Sequence, residues 1–301
     1  MRLPGGLEWW RDEPGGAEWL ESLPRIVDAC VDRWSLTLEP PFEPAHISLV
    51  VPGTLPDGRA VVLKVNFPEE ESEHEADALA HWGGCGAVEL VAHDHSRRAL
   101  LVERCVPGEQ LWSVDDDEEA TRIAASVLRL LWRRAPEHAP YRRLEDEAGR
   151  WARELPRDWA VLGKPFERSL LDEAVAACVE LGADQSEHVV LHQDFHGGNL
   201  LRAERVAWLA IDPKPLLGER EFDAASLLRD RRDELGGADD GRRIRRRLDV
   251  LEGELGLDRE RMRRWGIAHA LAWGVSGDKL EDDMIRCAEL LHEATQSGLA
   301  K

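Results

Sequence analysis

The chain is 301 residues long and 43% hydrophobic, enough for a substantial core in one large fold or two lobes. Acidic residues outnumber basic ones by 59 to 39, and the net charge of -20 disfavours nucleic acid and anionic membranes as partners; it favours a cationic partner, or serves solubility alone. Five scattered cysteines (Cys30, Cys85, Cys105, Cys178 and Cys287) without a Cys-x-x-Cys pair, and no apolar run suited to a signal peptide or membrane span, make the cytoplasm the expected location, with neither disulfides nor a zinc knuckle.

Turn signals at Pro4-Gly-Gly6 and Pro14-Gly-Gly16 precede a predicted helix over residues 18–34, where Trp19, Leu23, Ile26, Val27, Cys30 and Val31 recur near helical spacing. Strands are predicted over 47–52 and 59–65, joined across Gly53-Thr-Leu-Pro-Asp-Gly58, whose Pro, Asp and Gly are turn formers. The second strand carries Lys64 among aliphatics. That position suits an ordinary solvent-facing strand residue, and equally the strand lysine that grips nucleotide phosphates in kinases. Residues 69–82 are acidic first and then apolar at Ala76, Leu79, Ala80 and Trp82, as in a short helix with carboxylates at its positive end. In kinases a glutamate on the helix after the lysine strand holds that lysine. Distance from Leu79 and Trp82 selects Glu75, with Glu73 as second candidate and a plain solvated helix face as the alternative. Gly83-Gly-Cys-Gly86 follows a helix rather than a strand, so it reads as a helix stop and not as a dinucleotide fingerprint.

Two more strands are predicted over 87–92 and 99–106, and Pro107-Gly108 marks a change of direction. Strands outnumber helices before this point and helices predominate after it. An α+β chain of two lobes follows: a strand-rich, nucleotide-binding N-terminal lobe over 1–106 and a mainly helical C-terminal lobe over 107–301 carrying the catalytic loop, metal and substrate site. Main-chain groups near Arg104 and Val106 would then meet the adenine. Beyond residue 115 the 3.6 repeat recurs at Ile123, Val127, Leu130 and Leu131, at Leu144, Ala148, Trp151 and Leu155, and at Leu170, Leu171, Ala174 and Cys178. Further helices are predicted over 222–228, 242–255, 258–273 and 278–294. The basic run at 242–247 reads as a solvated helix face rather than a nucleic-acid contact.

Between these helices lies the stretch Val189-Val-Leu-His-Gln-Asp-Phe-His-Gly-Gly-Asn-Leu-Leu201, followed by Trp208-Leu-Ala-Ile-Asp-Pro213. Two apolar runs flank a tight polar loop, and the His-x-Asp-x-x-x-x-Asn spacing with a later Asp is the phosphoryl-transfer arrangement of kinases. Asp194 is placed to accept the proton of an acceptor hydroxyl. Asn199 and Asp212 supply an amide oxygen and a carboxylate suited to Mg2+, and Gly197-Gly198 allow the turn between them. His192 is expected to brace the loop, and His196 to be structural. A metal hydrolase using His192, Asp194, His196 and Asp212 is the rival from another reaction class; it leaves Asn199 and Lys64 without purpose. A non-catalytic nucleotide-binding module is a third reading, and ATP consumption separates all three.

His192-Gln-Asp-Phe-His-Gly-Gly-Asn199, Ala210-Ile-Asp-Pro-Lys214 and the later Gly218-Glu and Phe222-Asp223 resemble the aminoglycoside phosphotransferases, and among them the streptomycin 6-phosphotransferase and hydroxyurea phosphotransferase group. The resemblance is strongest over residues 185–230. It implies a protein-kinase-like bilobal fold, ATP and Mg2+ as cofactors, Asp194 as base, and Asn199 with Asp212 as metal ligands. It also implies a monomer phosphorylating a small cationic molecule, streptomycin or a relative, with another small alcohol or amine, or hydroxyurea, as the alternative acceptor. Gln193 stands where many members have Gly, and Phe195 where Leu is common; neither change removes a chemical group. No Ala-Pro-Glu segment follows Asp212, which argues against a protein kinase. Glu219 and Asp223 are read as braces below the metal site, with an exposed Glu219 as a possible substrate contact. Asp115, Asp116, Asp117, Glu281, Asp282 and Asp283 are candidate carboxylates for a cationic acceptor.

Overall fold

Aliphatic residues at every second position build a five-stranded antiparallel sheet in the first part of the chain. Its strands are β1 (Thr37–Leu38), β2 (Leu49–Thr54), β3 (Ala60–Val65), β4 (Leu90–Asp94) and β5 (Ala99–Glu103), in the order β1-β2-β3-β5-β4. The computed structural model describes residues 2–43, 45–185, 187–237, 239–277 and 279–294. By its contacts the chain divides into two compact units, Met1–Gly108 with Ala203–Arg205, and Glu109–Arg202 with Val206–Lys301.

In the first unit Val61, Leu63 and Val65 of β3 and Leu49 and Val51 of β2 point into one core with Leu20, Leu23 and Val27 of helix α1 (Gly16–Trp34). A 3-10 helix at Gly5–Asp12, unforeseen between the turn signals, adds Leu7 and Trp10 to that core. The β2–β3 hairpin closes as its turn residues suggest, with Leu55 N–H donating to Arg59 O and Gly58 N–H to Leu55 O. Strand β1 was not foreseen, because two residues carry no period. It crosses so near Gly53 that a Cβ there would lie 2.7 Å from Thr37 O. Helix α2 is Glu75–Trp82, shorter than the predicted 69–82, and ends on left-handed Gly83 as expected. Strand β5 stops at Glu103, three residues before its predicted end.

The second unit is helical: α3 (Asp117–Leu131), α4 (Leu144–Val161), α5 (Arg168–Ala183), α6 (Arg220–Leu228), α7 (Asp240–Leu255), α8 (Arg259–Gly274) and α9 (Asp282–Glu293). Helix α8 is its spine, with Trp265, Ile267, Ala268, Ala270 and Leu271 all buried among α5, α6 and α9. Gly266 admits α9 closely, since a Cβ there would lie 2.9 Å from Leu291 Cδ1. Short strands hold the loops: β6 (Arg142–Arg143), β10 (Leu216–Gly218) and β7 (Val189–Leu191) form one sheet, and β8 (Leu200–Arg202) pairs with β9 (Trp208–Ala210). A hairpin of β11 (Val275–Ser276) and β12 (Lys279–Leu280) takes the start of the helix predicted from 278; Asp278 itself lies outside the described residues. The basic run is solvated except at Arg247, which is buried and paired with Asp117. Among the described residues no helix is long and apolar enough to cross a membrane.

Candidate active site

The strand period places Lys64 and Asn66 on the same side of the chain. Lys64 is buried rather than solvent-facing, and its Nζ donates to both carboxylate oxygens of Glu75 at 2.7 Å. Glu75, only 2% exposed at the start of α2, also accepts from Asn66 Nδ2 at 2.6 Å, and Asn66 Oδ1 accepts from Ser48 Oγ at 2.8 Å. The alternative candidate Glu73 lies 3.6 Å from Arg98 instead. Past β5, the Arg104 side chain pairs with Glu39 at 2.7 Å and lies over the Phe42 ring, while its amide approaches Ala60 O at 3.5 Å. Val106 is exposed.

In the second unit β7 delivers the chain into the 192–199 loop, and Asp223 on the first turn of α6 holds the entry. Its buried carboxylate accepts from the amides of His192 (3.0 Å) and Gln193 (2.8 Å) and from Trp132 Nε1 (3.1 Å). Burial raises the Asp223 pKa; these donors and His192 oppose the rise. His192 braces the loop as expected: fully buried, its Nε2 lies 2.9 Å from Ile211 O, and burial lowers its pKa against the pull of Asp223. Gln193 sits at φ +67 and Asp212 at φ +58, left-handed values that cost non-glycine residues energy and tend to persist at functional sites.

Burial alone would raise the pKa of Asp194, but Arg229, His196 and Lys214 reverse this and hold it well below the usual carboxylate range. Arg229 Nη2 donates to Asp194 Oδ1 at 2.8 Å, its Nε to His269 Nδ1 at 3.2 Å, and its guanidinium lies 4.6 Å from the Trp273 ring centre. Lys214 Nζ is 5.1 Å from the same ring. Asn199 Nδ2 donates to Asp194 O at 2.9 Å, which leaves the amide oxygen as the atom for a cation. The Ile211 amide donates to Asn199 O at 2.9 Å, so Asp212 emerges from β9 beside Asn199. An amide oxygen and a carboxylate are the oxygen donors a hard divalent cation takes. Among the described residues no three His, Cys, Asp or Glu side chains gather as a metal set, so the ligand group of the hydrolase reading is not assembled.

Glu219 is a brace and not an exposed contact: it is fully buried and accepts from Trp265 Nε1 at 2.5 Å and Arg261 Nη2 at 2.6 Å. Most of the carboxylates considered for a cationic acceptor are engaged elsewhere. Asp116 caps α3, Asp117 pairs with Arg247, and Glu281 and Asp283 face Arg232. Arg229, His269 and Trp273 were missed, having no motif or spacing to mark them. Asn66 had a signal, two residues beyond Lys64 on the same strand face.

Residues 33–282 match the family model for aminoglycoside/hydroxyurea antibiotic resistance kinases. The chain belongs to that family. The kinase is 40% identical over 251 residues to a streptomycin 6-kinase of Streptomyces glaucescens, covering 83% of this chain and 81% of that one. It is 37% identical over 261 residues to a hydroxyurea phosphotransferase of Kitasatospora aureofaciens, covering 85% and 73%. Its fold is that of choline kinase LicA from Streptococcus pneumoniae, with TM-score 0.61 at 12% identity over 91% of this chain and 99% of that one. The protein-kinase-like α+β fold and the phosphotransferase class with an alcohol acceptor, both expected from the loop spacing and the resemblance, therefore hold.

Proposed function

We propose that this kinase transfers the terminal phosphoryl group of ATP to a hydroxyl of streptomycin or a closely related aminoglycoside. The observation that carries the reading is the assembly of Asp194, Asn199 and Asp212 in one loop and strand end, joined by the hydrogen bonds from Asn199 Nδ2 to Asp194 O and from the Ile211 amide to Asn199 O. Asp194 accepts the acceptor's proton as the new bond forms. Its low pKa keeps it ionised at neutral pH, and Arg229 fixes Oδ1. Lys64, oriented by Glu75, contacts the nucleotide phosphates, and main-chain groups at Arg104 and Val106 meet the adenine. Asn199 and Asp212 would hold Mg2+, which when bound neutralises charge on the phosphates. The reading includes a cytoplasmic monomer acting on a small cation, with neither nucleic acid nor membrane as partner.

Identity of 40% to a streptomycin 6-kinase over four-fifths of both chains supports the acceptor, and 37% identity to a hydroxyurea phosphotransferase supports hydroxyurea as the second reading. The test is ADP release at saturating ATP and Mg2+ against a panel of aminoglycosides, hydroxyurea and sugar alcohols, with product masses. A streptomycin-dependent ADP signal and a monophosphorylated product are expected. Equal turnover with and without streptomycin, and no such product, rejects the assignment.

A further inference from the structure

Trp112 is a large aromatic side chain left 42% exposed, yet hydrogen bonds hold both its ring and its backbone. It sits in a 3-10 turn at Leu111–Ser113, where the Arg231 guanidinium donates to Trp112 O at 3.1 Å and to Val114 O at 2.5 Å. Its indole N–H donates to Asp230 Oδ1 at 2.7 Å, and Asp230 Oδ2 accepts from the Gly197 amide at 3.0 Å. One carboxylate thus ties the ring to the loop that carries Asp194. The ring lies against that loop so closely that a Cβ on Gly197 would be 2.6 Å from its Cδ1, and one on Gly198 2.6 Å from its Cη2. The glycines of the motif therefore do more than turn the chain. They make room for this indole.

The ring also lies within reach of the chemistry. The His196 imidazole stacks on it, with centres 5.5 Å apart and planes 18° from parallel, and His196 Nε2 is 3.6 Å from Asp194 Oδ1. With His196 between Asp194 and the indole, an acceptor several rings long with a hydroxyl at Asp194 would span the distance to Trp112. Tryptophan is the strongest aromatic partner for a cation, and the Asp230 carboxylate at the indole N–H adds negative potential.

Resting on the streptomycin reading above, we propose that Trp112 is the specificity-determining wall of the acceptor site, a fixed platform on which a guanidinium of the acceptor stacks. The experiment compares wild type, W112F and W112L with streptomycin at saturating nucleotide. In W112L the KM for streptomycin rises about 3- to 30-fold, the range a cation–π contact spans; W112F falls between, and the loss sits in KM rather than kcat. Methylguanidine, a planar cation, competes with streptomycin in the wild type and loses that effect in W112L, whereas methylurea, the same shape without charge, competes in neither. Equal inhibition of wild type and W112L by methylguanidine overturns the platform. So does a W112L defect confined to kcat, which would make Trp112 a clamp on the loop. If the wild type leaves streptomycin unphosphorylated, the functional reading fails separately. The platform is then read by tryptophan fluorescence: methylguanidine quenches the wild type but not W112F, and identical quenching overturns the inference.

Discussion

Replacing Asp223 tests whether the catalytic loop is held from beneath. Its carboxylate is fully buried and takes three N–H donors: His192 N at 3.0 Å, Gln193 N at 2.8 Å and Trp132 Nε1 at 3.1 Å. Asp223→Ala leaves three buried donors unpaired, at about 1–3 kcal/mol each before relaxation. Removing a buried carboxylate whose pKa is raised by burial recovers part of that cost. A net loss of about 3–5 kcal/mol is expected. Asp223→Asn keeps the shape but turns an NH2 toward one of the donors, so about 2–3 kcal/mol is expected. Trp132→Phe removes the outermost donor alone and should cost about 1 kcal/mol. Activity should fall further than stability, because Gln193 at φ +67 is kept in that conformation by the amide bond to Asp223. A displacement of the neighbouring Asp194 by about 1 Å costs roughly 100-fold in kcat. Urea denaturation and ADP release at a temperature where each variant is folded measure both. If Asp223→Ala unfolds within about 0.5 kcal/mol of wild type with kcat within about two-fold, the loop is not held this way.

Asp194→Asn should lower kcat by roughly two to four orders of magnitude while calorimetry finds nucleotide affinity within about two-fold; an unchanged kcat removes Asp194 from the role of base. Glu75→Ala removes the buried carboxylate that accepts from Lys64 and Asn66 and should destabilise the chain by about 3–5 kcal/mol, whereas Lys64→Met with Glu75→Leu should regain stability in thermal melts yet stay inactive. Activity in that double variant would show that the pair serves packing only. His269 is fully buried, and burial first, then Arg229, lowers its pKa well below 6.5. It is neutral when folded and protonates once unfolded, so its contribution is full above the unfolded pKa of about 6.5 and is lost as pH falls below it. The melting midpoint of wild type should therefore fall more steeply from pH 7 to pH 5 than that of His269→Gln, and parallel curves would refute this.

How far the site could be read from sequence follows from how its residues are linked. The 192–199 loop was legible because eight consecutive residues carry the spacing, and the Lys64–Glu75 pair because a strand and the following helix are close along the chain. Arg229, His269 and Trp273 were not, since they approach Asp194 from α6 and α8, 35 or more residues away, and no local period encodes such a meeting. Arg247 departs from its solvated basic neighbours. It shares a helix face with Ile244, Leu248 and Leu251, all buried, and that spacing foretold its burial. Strand β1 and the β11–β12 hairpin consist of two-residue strands, below the length at which alternation can be recognised.

A net charge of -20 invites the picture of carboxylates receiving a cationic acceptor, but most of the acids proposed for that task cap α3 or pair with Arg247 and Arg232. Arg229 and Lys214 lie among the charged neighbours of Asp194, so an acceptor cation placed there by charge alone would meet repulsion as well as attraction. Both of these side chains lie over the ring of Trp273. Stacked on His196, Trp112 offers a ring with a carboxylate at its edge and exposed surface to spare. We propose that the surplus acid acts at long range, drawing a cationic acceptor toward the protein, while aromatic surface beside the loop decides where its guanidinium comes to rest.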